Sequence, residues 1–345
     1  MDFITLTAED RVTETTKVTT GYFTGDLGTL AGSNFVTSSL VAGEKKYYYN
    51  LQYSSEDQFS VAYGHIAGSG SQSGSTANKV GQTEAVYRQF ASQLLFPDDI
   101  NGGFIMSNGT TSTTQSSVHF LVAKRARMKD RINKKNWTLH LSGTLSNGTA
   151  TSLFLTDDSD TTAATITPAG PRFNIISGSA GTKVGTKIYG HFFPNMGVLA
   201  LSTNTVSSSL PGSASAAVIA QNTLTTMTKA GLAEDTSTDA ENALKLIKCI
   251  QNGTTTSFRS EEDQNSVMYF CRAKAANFNY TNNPTFTSGS DNGFRQRTME
   301  GNPQTFITTV GLYDAQDTLV AVGKLSTPVQ KNHSSEAVIK AKLTY

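Results

Sequence analysis

The apolar residues of this chain come in short runs that suit strands far better than helices. "QFSVAYGHI" places Phe59, Val61, Tyr63 and His65 on one face. "SVHFLVAKR", "NWTLHLSG", "TSLFLTDD", "RFNIISG", "KIYGHFFP" and "MGVLALS" are equally short and stop at Gly, Ser, Asn, Asp or Pro. Near the end come "NSVMYFCRAKA", "QTFITTVGLYD", "TLVAVGKLS" and "SEAVIKAKLTY", with "YDAQDT" reading as a hairpin turn. Period-two alternation bounded by turn residues is the signature of a half-buried strand. The last run sets Ala337, Ile339, Ala341, Leu343 and Tyr345 on one face and Lys340 and Lys342 on the other. Composition agrees: Ser and Thr make up about a quarter of the residues and charged residues only 16%, against about a quarter charged in an ordinary domain. Thr suits strands and Ser suits turns.

Helical spacing is confined to two places. "TEAVYRQFASQLL" repeats Val86, Phe90 and Leu94 every four residues, which predicts a helix over about 83–95. "TDAENALKLIKCIQNG" sets Thr238 and Glu241 at capping-box spacing ahead of an apolar stripe, which predicts one over about 239–251. The expected fold is mainly β, antiparallel sheets or a sandwich, with two or three short helices and long polar loops. The polar stretch 206–240 reads as a linker between a larger β-rich domain, 1–205, and a smaller one, 241–345. No repeat of 20–50 residues marks a propeller or solenoid.

The chemical motifs fail one by one. "GSGSQSGSTANKVG" has a strand before it and a helix after it, as a phosphate cradle would. Yet Lys79 is out of frame for a P-loop, and Gly74 follows Gly68 and Gly70 one residue too late for a dinucleotide fingerprint. Five histidines show no metal-ligand spacing, and "DDSD" at 157–160 lacks the Gly and Glu of a calcium loop, so it reads as a solvated acidic turn. No nucleophile elbow occurs. Cys249 and Cys271 sit in apolar runs and read as buried free thiols. The sequence therefore nominates no catalytic, cofactor-binding or metal-binding residue and no small-molecule substrate.

A net charge of +1 gives no global attraction to nucleic acid or an anionic membrane. No apolar run reaches the length of a membrane span, and the start of the chain lacks the marks of a secretory signal. The one basic cluster, "KRARMKDRINKK", carries Lys124, Arg125, Arg127, Lys129, Arg131, Lys134 and Lys135. Without an interleaved aromatic it offers nothing for bases to stack on. It reads as a protein contact or a solvated face rather than a nucleic-acid site.

"TFITTVGLYDAQDTLVAVGKLSTPVQK" followed by "EAVIKAKLTY" resembles the end of virion structural proteins of T-even-like contractile-tailed phages, especially those of cyanobacteria. "FSVAYGHIAGSGS", "YRQFASQLL", "NWTLHLSG", "FNIISGS", "PNMGVLALS" and "FRSEEDQNSVMYFCRAKAANFNYTNNPTF" are similar to the same family in the same order. The resemblance covers most of the chain, least well over 202–250. It implies a non-enzymatic virion subunit, assembled in the host cytoplasm and placed in the tail, with the baseplate favoured over a neck, capsid-associated or fibre-attachment position. A tail-borne hydrolase is the rival from another class. The implied partners are other tail and baseplate proteins and copies of the chain itself. The expected contact regions are the loop at 67–82, with Gly68, Gly70 and Gly74, the basic cluster, and the last strand ending at Tyr345.

Overall fold

The structure, a computed structural model, describes residues 4–38, 48–70, 81–100, 102–107, 111–212, 230–236, 242–281, 283–288, 291 and 293–345. The chain begins with β1 (Arg11–Gly21), β2 (Thr29–Leu30), β3 (Val36–Thr37), β4 (Tyr48–Tyr53), β5 (Glu56–His65) and α1 (Gln82–Leu94). It continues through β6 (Ile105–Ser107), β7 (Ser112–Thr114), β8 (Ser117–Ala123), α2 (Arg125–Met128), β9 (Arg131–Ile132), β10 (Leu139–Thr144) and β11 (Ala150–Asp157). Next come β12 (Thr165–Thr167), β13 (Gly170–Ser179), β14 (Thr182–Phe193), β15 (Val198–Ser202), α3 (Thr203–Ser209) and α4 (Asn242–Gln251). The last elements are β16 (Thr256–Ser257), β17 (Arg259–Ala273), β18 (Thr305–Tyr313), β19 (Leu319–Lys331) and β20 (Ala337–Thr344). The fold is mainly β and antiparallel, as the short apolar runs require.

Two compact units divide the chain: Met1–Lys17 with Asp263–Tyr345, and Val18–Glu262. The division falls inside β1 and β17, not at 206–240. The described parts of that polar stretch belong to the larger unit, where Leu210, Ala230 and Leu232 are buried in the core. Their backbone is tied in as well, Thr144 N–H to Ala230 O at 2.8 Å and Leu232 N–H to Leu210 O at 2.7 Å. A few apolar residues at the right positions outweigh the polar composition around them.

The larger unit is built on one antiparallel sheet in the order β10-β11-β13-β14-β15-β8-β5-β4-β3, with β12 added against β13. Its central strands are covered on both faces. Phe59, Val61 and Tyr63 of β5, Leu121 and Ala123 of β8, and Leu199 and Leu201 of β15 enter one core with α4. The intervening Ala62, Val118, Phe120, Val198 and Ala200 enter a second core under α1. Burial on both faces is why these strands read as continuous apolar runs. Gly64 lets α1 approach, because a Cβ there would lie 2.9 Å from the Tyr87 backbone. Tyr22, Phe59, Phe258 and Trp137 pack ring against ring in a chain through the first core, stacked at both ends and edge-to-face between Phe59 and Phe258, with neighbouring centroids 4.9–5.4 Å apart. Burying each such ring stabilises the fold by roughly 1.5–3 kcal/mol.

The acidic turn at 157–160 is a correction to the sequence reading. Asp157 and Asp158 are buried, not solvated. One Asp157 oxygen accepts Trp137 Nε1–H at 2.7 Å and Lys135 N–H at 2.9 Å, and the other accepts the Ser159 hydroxyl at 2.5 Å. Four donors, counting the Ser159 N–H, make this carboxylate a structural post that holds Trp137 in place. The two anticipated helices are α1 and α4. Thr238 and Glu241 lie outside the described residues.

The smaller unit contains the outer part of β17 with β1 and β20 beside it, and the β18–β19 hairpin, which pairs with no other strand among the described residues. The hairpin turns at Asp314–Thr318, where the Asp314 carboxylate accepts the Gln316 and Thr318 N–H groups at 2.9 and 2.8 Å. Among the described residues only Val267, Ala273 and Phe286 are buried apolar residues of this unit, and none of its residues enters either core. No described helix is long and apolar enough to cross a membrane.

Candidate functional site

The described root of the glycine loop, up to Gly70, sits in a polar network. His65 Nδ1 accepts the N–H groups of Ala67 and Ser69 at 3.1 and 3.2 Å, which puts the ring proton on Nε2, 3.8 Å from the Glu234 carboxylate. The Tyr63 hydroxyl donates to the same carboxylate. Burial, then the Glu234 charge, raises the Tyr63 pKa, so the phenol keeps its proton. Behind it His119 bonds Thr203 Oγ1 at 2.8 Å and Asn242 O at 3.1 Å. Burial lowers its pKa to about 4, so the ring is neutral. Lys245 is buried with its amine on Ala233 O at 2.9 Å, and burial lowers its pKa. Every strong donor here meets an acceptor from its own chain, an arrangement that fixes backbone segments to one another. Gly68 starts the loop at φ +74°. Gly70 is buried at φ +72°, with Asn242 Nδ2 and Asp235 O each 2.7 Å from where a Cβ would stand, so it offers no exposed contact. Gly74 lies outside the described residues.

The basic cluster is held by its own molecule. Lys124 meets Asp57 at 3.4 Å, Arg127 meets Glu56 at 3.1 Å, Lys129 meets Glu262 at 2.8 Å, Arg131 meets Glu261 at 2.7 Å and Lys135 meets Asp160 at 2.8 Å. Arg125 donates to Asp130 O at 3.0 Å, and Lys134 lies over the Phe173 ring at 5.2 Å. The segment wraps α2 and β9 onto the β4–β5 turn and the start of β17. A cation already neutralised has little charge left to offer phosphates or an acidic partner. Acids 67 to 133 positions away in sequence supply most of these partners, which is why the cluster reads as free charge in one dimension.

The smaller unit is where unmet surface gathers. β20 alternates half-buried Ala337, Ile339, Ala341 and Leu343 with exposed Val338, Lys340, Lys342 and Thr344, as its sequence predicts. Tyr345 departs from the pattern: it is 75% exposed, although its backbone exchanges two hydrogen bonds with Asn265, at 2.9 and 3.1 Å. On the hairpin, Phe306, Tyr313, Leu319, Val320 and Val322 are all exposed, Val320 and Val322 by about two thirds. Apolar surface left open on this scale is characteristic of an interaction site. Polar posts hold the unit in place of a core. The buried Lys331 amine donates to Asn332 O, Asn279 Oδ1 and Ala275 O at 2.8, 2.9 and 3.0 Å, and Thr305 Oγ1 donates to Phe278 O at 2.7 Å. Hydrogen bonds from Thr7, reinforced by Arg272 at 3.0 Å, hold the Asp10 carboxyl below its ordinary range. The alternation of β20 is legible in sequence. The absence of a core behind it is not.

Cys249 and Cys271 are free thiols, the first buried and the second partly exposed. Burial pushes the Cys249 pKa up to about 12, the opposite of what a nucleophilic thiol needs. No group of three or more His, Cys, Asp or Glu suited to a metal occurs among the described residues. No protein-family model matches the chain, and comparisons with curated proteins and with solved structures return no match.

Proposed function

We propose that this chain is a non-enzymatic structural subunit of a contractile phage tail, most simply a baseplate component that docks neighbouring subunits. The observation that carries the reading is the smaller unit: strands with regular alternation, exposed apolar side chains and almost no buried apolar residue of its own. Such a unit gains its missing burial from a neighbour. The resemblance of "TFITTVGLYDAQDTLVAVGKLSTPVQK" and "EAVIKAKLTY" to virion structural proteins supplies the setting. The docking surface in this reading is the β18–β19 hairpin with β20 and Tyr345; of the loop at 67–82, Gly70 is buried and residues 71–80 lie outside the described residues. The basic cluster serves the fold instead. Negative-stain images of virions lacking this protein test the reading. Missing or defective tails are expected, and normal infectious tails would refute it.

A further inference from the structure

The three-stranded part of the smaller unit has two open edges of opposite character. In the order β1-β17-β20, no further strand pairs with β1 or with β20 on its outer side among the described residues. The faces follow from the pairings. Lys340 stands opposite Phe270 and Lys342 opposite Met268, so both lysines share a face with Ser266, Met268 and Phe270. Thr15 bonds Asn265, at 2.7 Å, and therefore shares the other face. Alternation then turns Glu14 to the lysine face. One edge of that face carries two exposed lysines and the other an exposed glutamate, and none of the three makes an ion pair among the described residues.

We propose that β20 of one copy pairs parallel with β1 of a second copy, head to tail, so that the three-stranded sheets join into one: both strands run antiparallel to β17, so only the parallel junction keeps the lysine face continuous. The occupant is a second copy because the chain itself supplies the complementary edge: Lys340 and Lys342 of one copy meet Glu14 of the next on a common face. Pairing β20 with itself is disfavoured. Every antiparallel register that keeps the faces matched and overlaps the whole strand, or nearly so, sets lysine opposite lysine, and like charges directly opposite destabilise a sheet. The threonines of β1, Thr13, Thr15 and Thr16, are exposed β-formers on a strand whose outer hydrogen-bonding groups have no strand partner. A head-to-tail contact is heterologous and generates a ring if its rotation closes, or a filament if it does not.

The inference rests on the assembly reading and names its partner, and the two fail separately, since the purified chain is enough to test this one. Sedimentation of the full chain over rising concentration is expected to show self-association. Lys340→Glu with Lys342→Glu is expected to weaken it at least tenfold, and adding Glu14→Lys to that pair to restore most of the loss. All substituted positions are exposed, and matching thermal melts show that each variant folds. A chain that stays monomeric at every concentration, or association indifferent to the reversals, overturns the proposal. Loss on lysine reversal without recovery by Glu14→Lys overturns the choice of β1 as partner.

Discussion

The two units use the same kind of strand for opposite ends. β8 of the larger unit and β20 of the smaller are similar in length, but β8 is buried almost throughout while β20 alternates in burial. β8 is covered by one core on each side, with Leu121 and Ala123 in the first and Val118 and Phe120 in the second. β20 has one half-buried face and one open face. A β pattern therefore specifies a strand but not what covers it. The larger unit answers from its own sequence. In the proposed reading, the smaller unit takes its cover from another chain.

The comparison predicts unequal responses to truncation. Phe258→Ala, at the centre of the aromatic cluster, should cost about 3–5 kcal/mol. Val322→Ala, with 66% of the residue exposed, should stay within about 0.5 kcal/mol in the free chain. Chemical denaturation measures both, and a cost for Val322→Ala near that of Phe258→Ala would mean the hairpin is already buried. Asp157→Ala should cost roughly 2–3 kcal/mol, because it orphans the Trp137 and Lys135 donors inside the larger unit. Blue-shifted or broadened Trp137 emission should accompany the loss.

Acid should act on the larger unit first. Burial lowers the pKa of His119 to about 4 and of His191 to about 3, so both are neutral when folded. Below the unfolded value of 6.5 the unfolded chain binds protons that the native chain refuses. Stability is thus full above about pH 6.5 and falls as pH drops towards 4. Between pH 7 and 5 the loss is expected to be about 2 kcal/mol for each ring and about 4 kcal/mol for the pair, read as a falling melting temperature. A flat profile would mean that the rings are solvated. Smaller again are the ion pairs of the basic cluster. Arg131→Ala, whose partner Glu261 is buried, should cost about 1 kcal/mol, and Lys135→Ala, exposed on both sides of its pair, less than about 0.5 kcal/mol. Equal effects would remove the case for a stitched segment.

Much of this was legible in the sequence where burial leaves a period. β5, β8, β10, β11 and β13 to β15 are the runs that alternate or stay apolar, and α1 and α4 are the two stretches at helical spacing. β1 leaves no such trace: "RVTETTKVTTG" is exposed along most of its length and carries Thr, Glu and Lys on both faces. Long-range pairing was equally hidden. Nothing local tells Lys129 that its acid is Glu262, or Asp157 that its donor is Trp137. The described parts of the polar stretch 206–240 carry Val206, Leu210, Ala230 and Leu232 into the core, which the average composition of the segment does not show. The proposed docking surface was half legible. Its alternation is written in β20 and its want of a core is a property of the whole unit.

Hydrogen exchange followed strand by strand, in the free chain and again in assembled particles or self-associated material, tests the central claim most directly. In the free chain β5, β8 and β15 should exchange slowest, through global unfolding, while β18, β19 and β20 exchange orders of magnitude faster. On assembly β20 and β1 should gain protection while β5 and β8 hardly change. Slow exchange of β18–β20 in the free chain, equal to that of β5 and β8, would contradict the account.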